Sequence, residues 1–394
     1  MISSMKHDQL RHLRSLRLLL SQDKSPLGFF LAAGCPLSVQ VAGKPLSPDM
    51  AGLSKIIADE HAGEQANSPF NRLVTELGKV KKSVSNIEDV LTFIRSMKEV
   101  AGGGASVRGF SEAELTKLEK EICDTITREV NKELPAGDNS YRRLAKWVSA
   151  IDRKAPVEIF TTNYDLLIEQ ALEEQFVPFF DGFSGSRYPF FDIHSAQGND
   201  LPPYWARLWK LHGSVNWKEE GNGVYRVSKD GGAGSPQLIY PSKLKYDQSR
   251  KMPFLAMSDR LTDFLLKDHA VLIICGYSFN DEHINDTIIN ALKVNQSANV
   301  IALMFGKKLD KYGKERAPEA LIWAKERPNL SVWHDDIAVI GAQEYEWSEY
   351  VEDNKDFAGF SFKLVDKRVA LGDFSEFTSF IHQLIGDHPD ADKK

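Results

Sequence analysis

Apolar residues switch between two spacings along the chain. Residues 27 to 33 form a short apolar block that ends at Gly34 and is followed by Pro36, Gly43 and Pro45. This pattern predicts a buried strand that runs into a tight turn. From Ser47 to about Ala150 the spacing becomes helical, with Ser47 expected as an N-cap and Pro48 in the first turn. Ser85 with Glu88 and Ser111 with Glu114 have capping-box spacing, in which each side chain satisfies a backbone N–H at a helix start. Val90, Leu91, Ile94 and Met97 make one stripe and Leu115, Leu118, Ile122 and Ile126 another, and the Gly102 to Gly104 run breaks the chain between them. An amphipathic first helix is expected within Lys6 to Leu20.

The compact apolar strand pattern returns at Val157 to Thr162 and leads through Asn163, Tyr164 and Asp165 into a helical run, Leu166 to Glu174. Trp209 to His212, Leu238 to Tyr240, Ala270 to Cys275, Val300 to Met304 and Leu330 to Trp333 are further candidate strands. Helical patterns at Ala256 to Lys267 and Asp281 to Leu292 lie between them, and Asp373 opens a last one that Gly386 stops. This alternation predicts an α/β fold: a Rossmann-like parallel sheet with helices on both faces and a helical insertion after the first strand. The expected divisions are 1–45 for the first helix and strand, 46–150 for the insertion, 151–310 for the rest of the sheet domain, and 311–394 for a closing strand and helix.

Composition narrows the function classes. Of 394 residues, 42% are hydrophobic and 26% charged, the balance of a globular protein with a sizeable core. Lys and Arg number 49 against 55 Asp and Glu, a net charge of -6, which disfavours direct nucleic-acid contact or attraction to an anionic membrane. No apolar stretch approaches the roughly 18 residues that cross a bilayer. The three cysteines, Cys35, Cys123 and Cys275, are widely spaced, with no disulfide framework and no half of a zinc site, so a reducing cytoplasm is expected.

In an open parallel sheet, ligands bind beyond the C-terminal ends of the strands, so the turns there are where chemistry is sought. Ala32-Ala33-Gly34-Cys35 is small enough for backbone N–H groups to approach a pyrophosphate, or simply for close packing. Thr161-Thr162-Asn163-Tyr164-Asp165 supplies preferred N-cap residues, or an amide that holds sugar hydroxyls and a water. His212 before Gly213 is a candidate general base at the mouth of the sheet. Gly276-Tyr277-Ser278 can contact phosphate, and Asp281 starts the next helix. Asp281 and His283 lack a convincing third partner for a metal, so no metal site is expected. A G-x-x-x-x-G-K-[ST] sequence is absent, which excludes a P-loop ATPase.

In order and spacing these four turns resemble the sirtuin family. Ala32-Ala33-Gly34-Cys35 is similar to the NAD-gripping loop, Thr161-Thr162-Asn163-Tyr164-Asp165 to the threonine-glutamine-asparagine-x-aspartate motif, His212-Gly213 to the catalytic histidine-glycine pair, and Gly276-Tyr277-Ser278 to the phosphate-binding glycine-x-serine. The resemblance covers about residues 27 to 45 and 151 to 310, and the closing strand and helix look like the end of a sirtuin-like branch found in bacterial anti-phage systems. It departs from deacylating sirtuins in three ways. Residues 213 to 236 contain no cysteine for a zinc ribbon, Ala32 replaces the first loop glycine, and the arginine after the loop has no clear counterpart.

The resemblance therefore implies an NADase without zinc, with NAD as substrate. It implies Asn163, His212 and Asp165 as catalytic residues, and Ala32, Ala33, Gly34, Cys35, Thr162, Gly276, Tyr277, Ser278 and Asp281 around the dinucleotide. It further implies gated activity in anti-phage defence, homo-oligomers and a HerA-type ATPase partner. The competing readings are an NAD-dependent protein deacylase and a non-catalytic NAD or ADP-ribose binder.

Overall fold

The computed structural model describes residues 5–63, 67–80, 87–102, 104–198, 200–220, 223–227, 253–348 and 368–385. The expected cap Ser85, the candidate strand Leu238 to Tyr240 and the stop Gly386 lie outside them. The chain opens with helix α1 (Gln9–Ser21) and strand β1 (Leu27–Leu31), then a small hairpin, β2 (Gln40–Val41) and β3 (Lys44–Pro45). The insertion helices are α2 (Met50–His61), α3 (Pro69–Lys79), α4 (Ile87–Ala101) and α5 (Glu112–Val130), and α6 (Ser140–Ala150) leads back to β4 (Val157–Thr161). After α7 (Leu167–Glu174) come β5 (Phe179–Phe180), β6 (Phe183–Ser184), β7 (Phe190–Phe191), α8 (Ile193–Gln197), β8 (Ala206–Lys210), β9 (Trp217–Glu220) and β10 (Gly223–Arg226). The last part holds α9 (Phe254–Leu265), β11 (Val271–Cys275), α10 (Glu282–Val294), β12 (Asn299–Leu303), α11 (Pro318–Glu326), β13 (Leu330–Trp333), β14 (Ile337–Ile340), β15 (Gln343–Glu346) and α12 (Phe374–Gln383).

Among the described residues the main sheet has nine strands, in the order β15-β14-β13-β12-β11-β1-β4-β8-β5. From β13 to β5 the pairing is parallel, as the apolar runs predict, because strands buried on both faces need no polar alternation. The sheet departs from expectation at one margin, where β14 and β15 turn back antiparallel. Their sequence hides this, since β15 is polar and short. On β15, Glu344 Oε1 accepts from Lys308 Nζ at 2.6 Å, and the His7 backbone amide donates to Glu346 O at 2.9 Å. A second sheet, β6-β7-β10-β9, joins two strands of two residues to two of four, too short for periodicity to announce.

Alternation along each strand sorts side chains to two cores. Phe29, Leu31, Ile159 and Leu208 pack with Leu13, Leu16 and Leu20 of α1, Leu144 and Trp147 of α6, and Phe377 and Ile381 of α12. Phe30, Phe160, Trp209 and Leu272 face the other way, onto Leu261 and Phe264 of α9 and Ile284 and Ile288 of α10. The insertion has a third core, including Leu53, Leu73, Leu91, Leu115 and Ile122, and this core also takes in Tyr164 and Val215 from the turns after β4 and β8. It is thereby packed onto the end of the sheet where those strands finish. Two of its caps test the sequence reading. Ser111 and Glu114 form the reciprocal box, whereas α2 is capped by Asp49, whose carboxylate accepts from the Gly52 amide at 2.7 Å. The expected cap Ser47 lies too early, because the helix begins only after the equally favoured Asp49. Among the described residues no helix is long and apolar enough to cross a membrane.

Candidate functional site

Strand order reverses at β1. The chain goes from β1 to β4 and β8 on one side and later returns to β11, β12 and β13 on the other. Such a reversal opens a crevice beyond the strand ends, because the connections leave in opposite directions. The turn after β1 meets the turn after β11 there through backbone alone: the Gly34 amide donates to Gly276 O at 2.9 Å. A Cβ on Gly34 would lie 2.7 Å from Gly276 Cα, and one on Gly276, whose φ is +67, would lie 2.6 Å from Cys35 N. Only glycine fits either place.

A cavity of about 210 Å³ occupies this crevice. Ten of the twelve residues expected at the site line it: Ala32, Ala33, Thr162, Asn163, Asp165, His212, Gly276, Tyr277, Ser278 and Asp281. The other two lie behind the wall. Gly34 makes the backbone contact just described, and Cys35 is fully buried, with its Sγ donating to Cys275 O at 3.3 Å. Burial pushes the Cys35 thiol far up from its ordinary range, so it is an inert packing group.

Asn163 is held on both sides. Its backbone amide donates to Thr161 Oγ1 at 3.0 Å, and its side-chain Nδ2 donates to Ala32 O at 3.2 Å, a bond that ties the turn after β4 to the turn after β1. Asp165, 5% exposed, accepts from the Leu167 amide at 3.1 Å and so starts α7. Desolvation raises its pKa from 3.8 to about 6, with Lys210 pulling down and Glu169 pushing up. His212 Nε2 lies 3.1 Å from Asp281 Oδ2, while Asp281 Oδ1 caps α10 by accepting from the His283 and Ile284 amides.

Several participants escaped the sequence reading. Lys210, 2% exposed, donates from Nζ to Asp165 O and, at 2.7 Å, to Glu169 Oε1. Its position within an apolar run was the available signal, since a lysine there must have a buried partner. The insertion contributes Ser47, Asp49, Met50, Leu53 and Val130 to the cavity wall, which no motif foretold.

Residues 157–328 match the family model described as a SIR2-like domain. This SIR2-like region contains Asn163, Asp165, His212, Gly276 and Asp281. The first loop, Ala32 to Cys35, lies outside it and joins the site because β1 pairs between β11 and β4. No curated protein matches the chain. Solved structures that resemble it include a chain from work on the mechanism and regulation of Sir2 enzymes, 14% identical, with a TM-score of 0.32, covering 74% of this chain and 84% of that one. Another is a Sir2 homologue in complex with NAD, 12% identical, with a TM-score of 0.35, covering 76% and 83%.

Proposed function

We propose that the protein is an NAD hydrolase that cleaves the bond between nicotinamide and ribose. The observation that carries this reading is that the Asn163 amide and the His212 imidazole, from turns after different strands, line one small cavity together with the loops after β1 and β11. When the glycosidic bond breaks, its electron pair leaves with neutral nicotinamide and the ribose becomes oxocarbenium-like. Asn163 Nδ2 is engaged by Ala32 O, so the amide oxygen is the atom that accepts from the attacking water. As that water bonds to the sugar carbon, its proton passes to His212, directly or through a ribose hydroxyl, giving ADP-ribose. Asp165 adds negative charge near the developing cation, and the backbone of the Gly34 and Gly276 turns is open enough to meet phosphates.

The size of the cavity supports gating. Pockets for ligands of moderate size hold roughly 300–1,000 Å³, and this one, of about 210 Å³, has Ser47, Asp49, Leu53 and Val130 of the insertion in its wall. A movement of that wall would change access to the site. A trigger, of which a HerA-type ATPase partner in anti-phage defence is the version suggested by the sequence resemblance, would act on the insertion.

The test is chromatography of nicotinamide and ADP-ribose after incubating the full chain with NAD, with and without a candidate partner. Asn163→Ala and His212→Ala are each expected to lower turnover by about 10²- to 10⁴-fold. Parental turnover in either folded variant would overturn the assignment. Nicotinamide release only when an acyl-lysine peptide is present would replace hydrolysis with deacylation.

A further inference from the structure

We infer that Asp281 is a positioning residue that fixes the tautomer of His212, rather than a contact to the dinucleotide. The inference rests on the hydrolase reading for its kinetic consequence, but its structural core stands apart from it. The two carboxylate oxygens of Asp281 have separate tasks. Oδ1 receives the His283 amide at 3.0 Å and the Ile284 amide at 3.4 Å, and Oδ2 lies 3.1 Å from His212 Nε2. A residue needed only as a cap could be Ser, Thr or Asn, and none of these offers a second acceptor oxygen. Both side chains are largely withdrawn from water, at 15% exposure for His212 and 12% for Asp281.

An ionised carboxylate only accepts, so a neutral imidazole facing it must carry its proton on Nε2 and keep its lone pair on Nδ1. The carboxylate is itself immobilised by the helix amides, so little orientational freedom is left to lose when the base acts. The turn that carries it is pinned as well. The Tyr277 hydroxyl lies 3.1 Å from Asp281 O and 2.9 Å from Asn285 Oδ1, and Asn285 Nδ2 donates to Phe279 O at 2.8 Å. Phe279, buried with its ring 4.8 Å from that of Tyr277, has a φ of +59, a costly conformation for a bulky residue that the surrounding packing maintains.

The experiment uses the full chain with ¹⁵N-labelled histidine, at about pH 9 where imidazoles are neutral. The His212 signals are those missing from a His212→Gln sample. The parent is expected to show the Nε2–H form. Asp281→Ser keeps an N-cap but cannot reach the ring, and is expected to lose that form and lower kcat by about 10²-fold, with KM little changed. Asp281→Asn, which keeps cap and reach without charge, is expected to fall between the two and decides the matter if the serine variant does not fold. An unchanged tautomer in the folded variants overturns the inference, as does a raised KM with parental kcat, which would make Asp281 a ligand contact. If the parent never consumes NAD, the hydrolase reading fails, while the ring signals still decide the role of Asp281.

Discussion

Strands β4 and β8 carry two buried charge clusters, on opposite faces and towards opposite ends, and they are built differently. In the one farther from the crevice, Glu158 receives Trp209 Nε1 at 2.9 Å and Lys267 Nζ at 2.5 Å, and it lies 3.5 Å from Arg207 Nη1. Each of its oxygens is satisfied, and among the described residues cations outnumber the single acid. Near the crevice the proportions are inverted, with Lys210 alone between Asp165 and Glu169, and Glu169 Oε2 buried without a partner among the described residues. The first arrangement closes a core. The second leaves a carboxyl whose charge is expensive, and such groups gather where chemistry is done.

Lys210→Met leaves the buried Asp165 and the partly buried Glu169 without their cation, and denaturant unfolding is expected to show a loss of about 3 kcal/mol near neutral pH. Asp165→Asn sharpens the contrast through pH. A carboxyl whose pKa rises from 3.8 to about 6 on folding favours the folded state when protonated, so its contribution is present below 3.8 and lost as pH climbs to about 6. Relative to the parent, the asparagine variant should gain on the order of 2 to 3 kcal/mol across that window, read from unfolding curves at several pH values. A constant difference would show that Asp165 does not titrate there. The smallest effect is expected at the other cluster. Glu158→Gln still accepts from Trp209, and Lys267, 34% exposed, can turn to water, so the loss is expected to stay below about 2 kcal/mol. The proposed turnover of NAD should be unaffected by that change.

The difference between the clusters also marks what the sequence could disclose. Blocks such as Val157 to Thr161 and Val271 to Cys275 announce a sheet buried on both faces, and the residues directly after them are the ones that meet in the crevice. Local rules were enough for the Ser111 box and the Asp373 cap, because those bonds span a few residues. The pairing of His212 with Asp281, and of Lys210 with Glu169, depends on how distant segments are brought together by the order of strands in the sheet, and no local pattern carries that information. The antiparallel turn-back of β14 and β15 was hidden for a related reason: Gln343–Glu346 is strand by partnership with Ile337–Ile340, not by composition.

That polar strand has a consequence for self-association. An open sheet invites a copy of itself to continue the ladder, and charged, covered or very short margins prevent this. Here one margin bears Glu344, clasped by Lys308 and Lys325, with backbone from His7 laid against it, and the other ends in a strand of two residues. Among the described residues, neither end offers a long bare ladder to which a copy could add in ribbon-like growth.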